Sequence, residues 1–344
     1  MKKFFLILFS CATMSITNVF AQENLQPDKD TIQDNSIVAP ESLNEHLATL
    51  LHEWQIDFSK SKTQCSQGTN VMFHDSVYTR CLYDLPTEME LSYNQVVRQY
   101  IDMYANRRRD MVGYMLTIGK YYFPMFEEAL DKQGLPLELK YLPVIESALN
   151  PVAVSRVGAT GLWQFMLRTA QGYGLQVNSL VDERRDPHKS TEAAARYLKD
   201  LYTIYGDWNL VIAAYNCGPG NINKAIARSG GKRDYWQIYY NLPRETRGYV
   251  PAFIAANYIM NFYDKHNICP IESVQEMIAL DTVHVENQVH FNQIAEVLDI
   301  PLSDIRRWNP QFKKDRVPGN YQEYALVLPI NKMYAFLEKK DEIM

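Results

Sequence analysis

Between residues 90 and 265 the chain repeats apolar side chains at helical spacing, and strand signals are nearly absent. Val96, Val97, Tyr100, Ile101 and Tyr104 share one face, and Ala194, Leu198, Leu201 and Tyr205 share another. That is the 3.6-residue period of helices with one buried side. The same spacing runs from Met111 to Leu130, with a break expected near Pro124 because proline lacks the N–H that closes a helical turn. Pro136 takes the favoured first-turn place of a helix carrying Leu137 to Leu142. Gly206-Asp207 stops one helix and Gly218-Pro219-Gly220 another, and residues 221–228 and 250–263 complete the set. The spacing predicts an all-α domain.

The pattern changes after Pro270. Short apolar runs at residues 278–280, 283–285 and 325–328 read as strands, with two short helices at 292–298 and 302–308. Strand, helix, helix, strand makes a small α+β module. A length of 344 residues accommodates two or three domains at roughly 100–200 residues each. The expected division is a signal segment over 1–21, a leader and helical extension over 22–89, the all-α domain over 90–270 and the module over 271–344. Residues 22–39 are polar without an apolar period and read as a flexible leader. Residues 41–58 have helical spacing through Leu43, Leu47, Leu50, Leu51, Trp54 and Phe58.

The first residues describe an export signal. Lys2 and Lys3 precede an apolar run from Phe4 to Phe9, and Val19-Phe20-Ala21 presents a cleavage site before Gln22. The run is too short to span a bilayer. The expected location is the periplasm. A rival reading makes Cys11, after Leu8-Phe9-Ser10, a lipid-attachment site that would hold the chain at the outer membrane. Export permits disulfides, and Cys65 and Cys81 flank a short polar loop, with pairing and free thiols equally open. Cys217 sits in a tight helix-end turn and suits a small buried role. The cysteines lack metal-ligand spacing and the histidines are scattered, so neither metal nor cofactor is expected. A formal charge of −5 without a basic block argues against nucleic acid as partner. The 23 tyrosines could face sugar rings, although a Tyr-rich helical core is the commoner arrangement.

Four clusters carry the chemistry. Glu146 ends the run Leu142-Pro143-Val144-Ile145-Glu146-Ser147, where lost solvation should raise its pKa and favour the protonated form. A protonated Glu near neutral pH is what general-acid cleavage of a glycosidic bond needs. The bland alternative pairs it with an Arg such as Arg156. Ser155 and then Gly158-Ala159-Thr160-Gly161-Leu162-Trp163-Gln164 follow, where glycines admit a ligand close to the backbone and a carboxamide suits an N-acetyl group or hydroxyls. Ala213-Ala214-Tyr215-Asn216 and Glu245-Thr246-Arg247-Gly248-Tyr249-Val250-Pro251 add hydrogen-bonding groups at helix ends.

In this order and spacing the four clusters resemble the lytic transglycosylases with a soluble-lytic-transglycosylase, goose-lysozyme-like catalytic domain, over about residues 90 to 265. One departure is Leu167, where that family usually has Pro after Met166. The resemblance implies a lysozyme-like helical domain that cleaves peptidoglycan glycan strands between N-acetylmuramic acid and N-acetylglucosamine. It makes Glu146 the single general acid and base and the product a 1,6-anhydro sugar. It implies that Ser155 and Gln164 contact the N-acetyl region, Met166 lines the cleft, and Tyr215 orients Glu146 or the sugar with Asn216 supporting the turn. Glu245 and Tyr249 become supporting residues or cleft wall.

The C-terminal module resembles a LysM domain, a peptidoglycan-binding unit, through Val285, Phe291, Ile294-Ala295, Ile305, Trp308-Asn309-Pro310 and Leu326-Val327-Leu328-Pro329. Asn287-Gln288-Val289-His290 replaces the usual Gly-Asp-Thr segment. With all four clusters upstream, the module reads as separable from cleavage. Two rival readings remain: a hydrolytic muramidase of the same fold, with Asp182, Glu183, Asp186, Glu192 or Glu245 as second carboxylate, and an inactive glycan-binding scaffold.

Overall fold

Side chains that satisfy the first free backbone N–H groups set where the helices begin. In the computed structural model, which describes residues 29–44, 47, 49–50, 68–271 and 279–343, Asn94 accepts from the Val96 and Val97 amides and opens the Gln95–Asp102 helix. Asp186 opens Pro187–Tyr205 and Asp207 opens Trp208–Cys217 in the same way. The Arg109–Gln133 helix runs unbroken through Pro124 and ends on Gly134. The break expected at Pro124 is absent: proline deprives only the Lys120 carbonyl of its partner, and Lys120 is exposed to water.

At the centre lies the Tyr249–Phe262 helix, buried at every position from Tyr249 to Met260. A helix apolar on all sides belongs inside a domain. It packs against Gln95–Asp102, Trp208–Cys217 and Leu142–Ser147, so the short helix bearing Glu146 rests on the most buried element. Tyr78, Tyr100, Tyr104, Tyr114, Tyr122, Tyr235, Tyr239 and Tyr258 are fully buried. The tyrosine richness is largely a property of the core.

Residues 29–44 are packed on this domain. Ile32 and Leu43 are fully buried, the Tyr100 hydroxyl donates to Val38 O at 2.9 Å, and Arg244 Nε donates to Ser36 O at 3.2 Å. The flexible leader expected of this stretch is not what forms, because core side chains bind its backbone carbonyls, and side-chain polarity carries no sign of that. Of the helix expected over 41–58, Glu41–Asn44 forms a 3-10 turn, and most of the rest lies outside the described residues. The signal segment and Cys65 lie outside them too. Cys81 is free and buried, so it is not the partner of Cys65. Cys269 is disulfide-bonded.

In the module, β1 (Leu280–Val285) pairs antiparallel with β4 (Tyr324–Pro329), Leu280 opposite Pro329 and Val285 opposite Tyr324. The runs expected at 278–280 and 283–285 contribute to this one strand, with Ile278 outside the described residues. Two further strands, β2 (Gln288–His290) and β3 (Arg316–Pro318), pair with each other, each too short to show an alternation in sequence. Helices Phe291–Leu298 and Leu302–Trp308 lie between the strands as expected, and Ile330–Glu338 follows β4. Val285, Val289, Phe291, Ile294, Ile305, Leu326 and Leu328 are fully buried in the module core, and so is Val181, which comes from the helical domain.

Candidate active site

The Leu142–Ser147 helix is short because Ala148 and Leu149 both take left-handed backbone conformations directly after it. That sharp exit leaves Glu146 in the last turn, half-buried on the floor of a cleft of about 680 Å³. Ser147 fixes the same turn, its Oγ lying 3.1 Å from Pro143 O and 3.0 Å from Leu162 O. From the side, Ser42 Oγ donates to Ile145 O at 2.7 Å. The Tyr249 hydroxyl donates to Glu146 Oε1. Burial pushes the Glu146 carboxyl up to about 7, while the Tyr249 hydrogen bond pulls the other way by favouring the carboxylate. Both protonation states are therefore populated near neutral pH.

Facing Glu146 is the loop from Ala153 to Phe165. Ser155 Oγ accepts from the Ala159 amide at 3.0 Å and closes its first turn. Gly161 has φ +89°, and a Cβ on it would lie 1.8 Å from Arg184 O, so two backbone segments touch where any side chain would intrude. Trp163 is fully buried, its Nε1 donating to Thr191 Oγ1 at 2.8 Å, which makes it an anchor of the loop. Gln164 takes φ +47°. Its Nε2 lies 2.9 Å from Gly161 O and 3.2 Å from Ala153 O, and Oε1 accepts no hydrogen bond among the described residues. Met166 lines the cleft and is 46% exposed. Leu167, at the place of the usual proline, is the first residue of the Leu167–Gly172 helix, where proline and leucine both fit.

The third wall comes from the ends of Trp208–Cys217 and Tyr249–Phe262. Tyr215, Tyr197 and Phe165 line it as an aromatic group, with Tyr215 5.3 Å from Tyr197 and 6.4 Å from Phe165 between ring centres. Tyr215 donates its hydroxyl to Trp163 O at 2.7 Å. Of the two roles expected of Tyr215, orienting Glu146 or the sugar, the hydrogen bond to Glu146 is made by Tyr249 instead. Asn216 accepts from Thr246 Oγ1 at 3.0 Å and so ties two walls together. Glu245 is exposed at the rim.

Glu146, Ser155, Gln164, Met166, Tyr215, Asn216, Glu245 and Tyr249 all line this cleft, while Gly158, Gly161 and Trp163 of the second cluster lie behind its wall. Residues 38–42 also line it and were missed, since a polar leader gives no signal of a cleft wall. Glu41 among them meets Arg156, with Oε1 3.2 Å from the amide and 3.6 Å from Nε. Arg156 therefore pairs with Glu41, and the partner of Glu146 is Tyr249. Of the carboxylates weighed as a second acid, Asp182 pairs with Arg184, Glu183 with Lys189, Asp186 caps a helix and Glu192 lies 3.9 Å from Lys132. Among the described residues, Glu146, Glu41 and Glu245 are the carboxylates that line the cleft.

Residues 123–238 match the transglycosylase SLT domain, and residues 279–344 match the LysM-like domain of lytic transglycosylase MltD. The chain is 30% identical over 244 residues to membrane-bound lytic murein transglycosylase D of Escherichia coli K12, covering 70% of this chain and 53% of that protein. It is 28% identical over 223 residues to the soluble lytic murein transglycosylase of the same strain, covering 60% of this chain and 30% of that one. Among solved structures it is similar to the 70 kDa soluble lytic transglycosylase of Escherichia coli, at 28% identity and a TM-score of 0.36, over 43% of this chain and 25% of that one. The chain thus spans about half the length of the first of these relatives. The resemblance expected from the motifs holds for both parts of the chain. Glu245 and Tyr249 lie beyond the matched 123–238 span.

Proposed function

We propose that this chain, which carries an SLT transglycosylase domain and an MltD-type LysM-like domain, is a lytic transglycosylase of cell-wall peptidoglycan. The observation that carries the reading is a single half-buried carboxyl, Glu146, held near a pKa of 7 in a cleft and hydrogen-bonded by Tyr249. Protonated Glu146 gives its proton to the oxygen between N-acetylmuramic acid and N-acetylglucosamine as the bond to muramoyl C1 breaks. The resulting carboxylate takes the proton of the muramoyl 6-hydroxyl as that oxygen bonds to C1. Proton and bond counts close without water, leaving a 1,6-anhydro end. Tyr197 and Tyr215 offer flat faces to sugar rings, with the buried Phe165 ring backing Tyr215, and Gln164 Oε1 is an acceptor for an N-acetyl N–H. Ser155 and Met166 shape the loop side of the cleft, while Asn216 and Glu245 shape the opposite rim.

The first step needs Glu146 protonated, so kcat/KM should fall with rising pH on a limb centred near 7. Tyr249→Phe removes a donor that stabilises the carboxylate. The limb should then move upward by about one unit or more, the size of a hydrogen bond to a charged group. A limb that stayed in place or moved down, measured on soluble glycan chains, would contradict the role given to Tyr249.

The same reading places the mature chain in the periplasm, acting on glycan strands at the cell wall. The export signal and the disulfide at Cys269 support an oxidising compartment. Among the described residues no helix is long and apolar enough to cross a membrane.

A further inference from the structure

The seam between the module and the helical domain leads directly to the cleft. Val181 is fully buried in the module core and pairs with Phe312 as an isolated bridge. The Asp182 amide donates to Gln311 O at 2.9 Å, and the Lys313 amide donates to Leu180 O at 2.8 Å. Gln176 meets Gln322 at 2.9 Å and accepts from the Tyr324 hydroxyl at 3.1 Å. Asp182, held in this seam, clamps Arg184 with two hydrogen bonds, Nε to Oδ1 at 2.9 Å and Nη2 to Oδ2 at 2.8 Å. The remaining guanidinium nitrogen, Nη1, donates to Gly158 O at 3.0 Å and Phe165 O at 3.2 Å. Those two carbonyls bracket the stretch from Gly158 to Gln164. Only a planar fork can grip a carboxylate on one edge and two carbonyls on another.

We propose that the module shapes the glycan site through this seam, with Arg184 as the positioning residue. Docked, it fixes residues 180–182, which fix Arg184, which holds the cleft loop. Undocked, Leu180 O and the Asp182 amide lose their partners and Val181 meets water, so the carboxylate that aims Arg184 is held from one side alone, by the local bridge between Val177 and Asp182. This departs from the separable module expected from the order of the motifs. It deepens the proposed function, and only its statement about glycan affinity rests on that reading.

Val181→Asp in the full chain places a charge in the module core and should undock it. Hydrogen exchange should show the Asp182 and Lys313 amides losing protection, and the Gly161 and Phe165 amides losing it by about tenfold or more, while the Arg109–Gln133 helix is unchanged. Arg184→Lys keeps the charge but not the fork. It should loosen Gly161 and Phe165 alike while Asp182 stays protected, and should raise KM for soluble glycan about tenfold or more with the pH limb of Glu146 in place. Wild-type protection at Gly161 and Phe165 in an undocked Val181→Asp protein would overturn the proposal. If that variant does not fold, Arg184→Lys decides alone, with wild-type exchange and KM overturning it. The exchange readings need no substrate, so they stand whether or not the wild type cleaves murein.

Discussion

Glu146→Gln is expected to lower turnover of murein glycan by at least ~10²-fold, with the cleft intact. The amide keeps the shape of the side chain and can still accept from Tyr249, but it can neither give nor take a proton. The matching amide changes at Glu41 and Glu245, the other carboxylates that line the cleft, should each cost less than about tenfold. The same variant has a second signature. The folded pKa of Glu146, about 7, lies above the ~4.3 of a free Glu. Stability from its protonated form is complete below the unfolded value and is lost as pH rises through the folded one. At about pH 8 the native protein therefore holds an unfavourable half-buried carboxylate, and Gln, which never ionises, should stabilise it by up to about 3 kcal/mol. Below about pH 4 that advantage should vanish. Thermal unfolding of both proteins across this range measures it, and an equal difference at all pH values would contradict the raised pKa.

Gly161→Ala is expected to have the largest effect on folding of any single methyl group added to the site. Its Cβ would lie 1.8 Å from the Arg184 carbonyl oxygen at a φ of +89°. The obstacle is backbone, so the loop and the 182–185 segment must part, breaking the approach on which Arg184 depends. The cost should exceed about 3 kcal/mol, seen as a large drop in Tm and a weakened grip on glycan. Gly158→Ala is the control. Its φ is +84° but nothing lies within 4 Å of the new Cβ, so the loss should be only about 1–2 kcal/mol. Equal losses at the two positions would show that backbone conformation, and not the close approach, governs the loop.

The helices and the site were legible for the same reason: each depends on short stretches of sequence. Stops such as Gly206-Asp207 announce themselves locally, and Glu146 is conspicuous as a carboxylate after an apolar run. What could not be read depends on backbone groups meeting across long separations. Ser42 reaches Ile145 O over 103 residues, and nothing in a polar segment announces that its carbonyls will be bound by Tyr100 and Arg244. The seam is similar: Val181 looks like any surface-loop valine until Phe312 is set against it. Which tyrosine serves Glu146 was equally hidden, since Tyr215 and Tyr249 stand in similar motifs and differ only in where their helices point the hydroxyl. Pro124 shows the opposite case, a strong local signal overruled because its cost falls on an exposed turn.

The claim that a single carboxyl transfers both protons, with no water consumed, is tested most directly by the products. Purified murein should be digested in water enriched in heavy oxygen and the fragments analysed by mass spectrometry. The expected fragments end in 1,6-anhydro-muramic acid, each one water lighter than a reducing end, and carry no solvent oxygen. Reducing ends that carry the label would contradict it, and would make the protein a hydrolase whose water is activated by a second carboxylate, with Glu41 and Glu245 the first to examine.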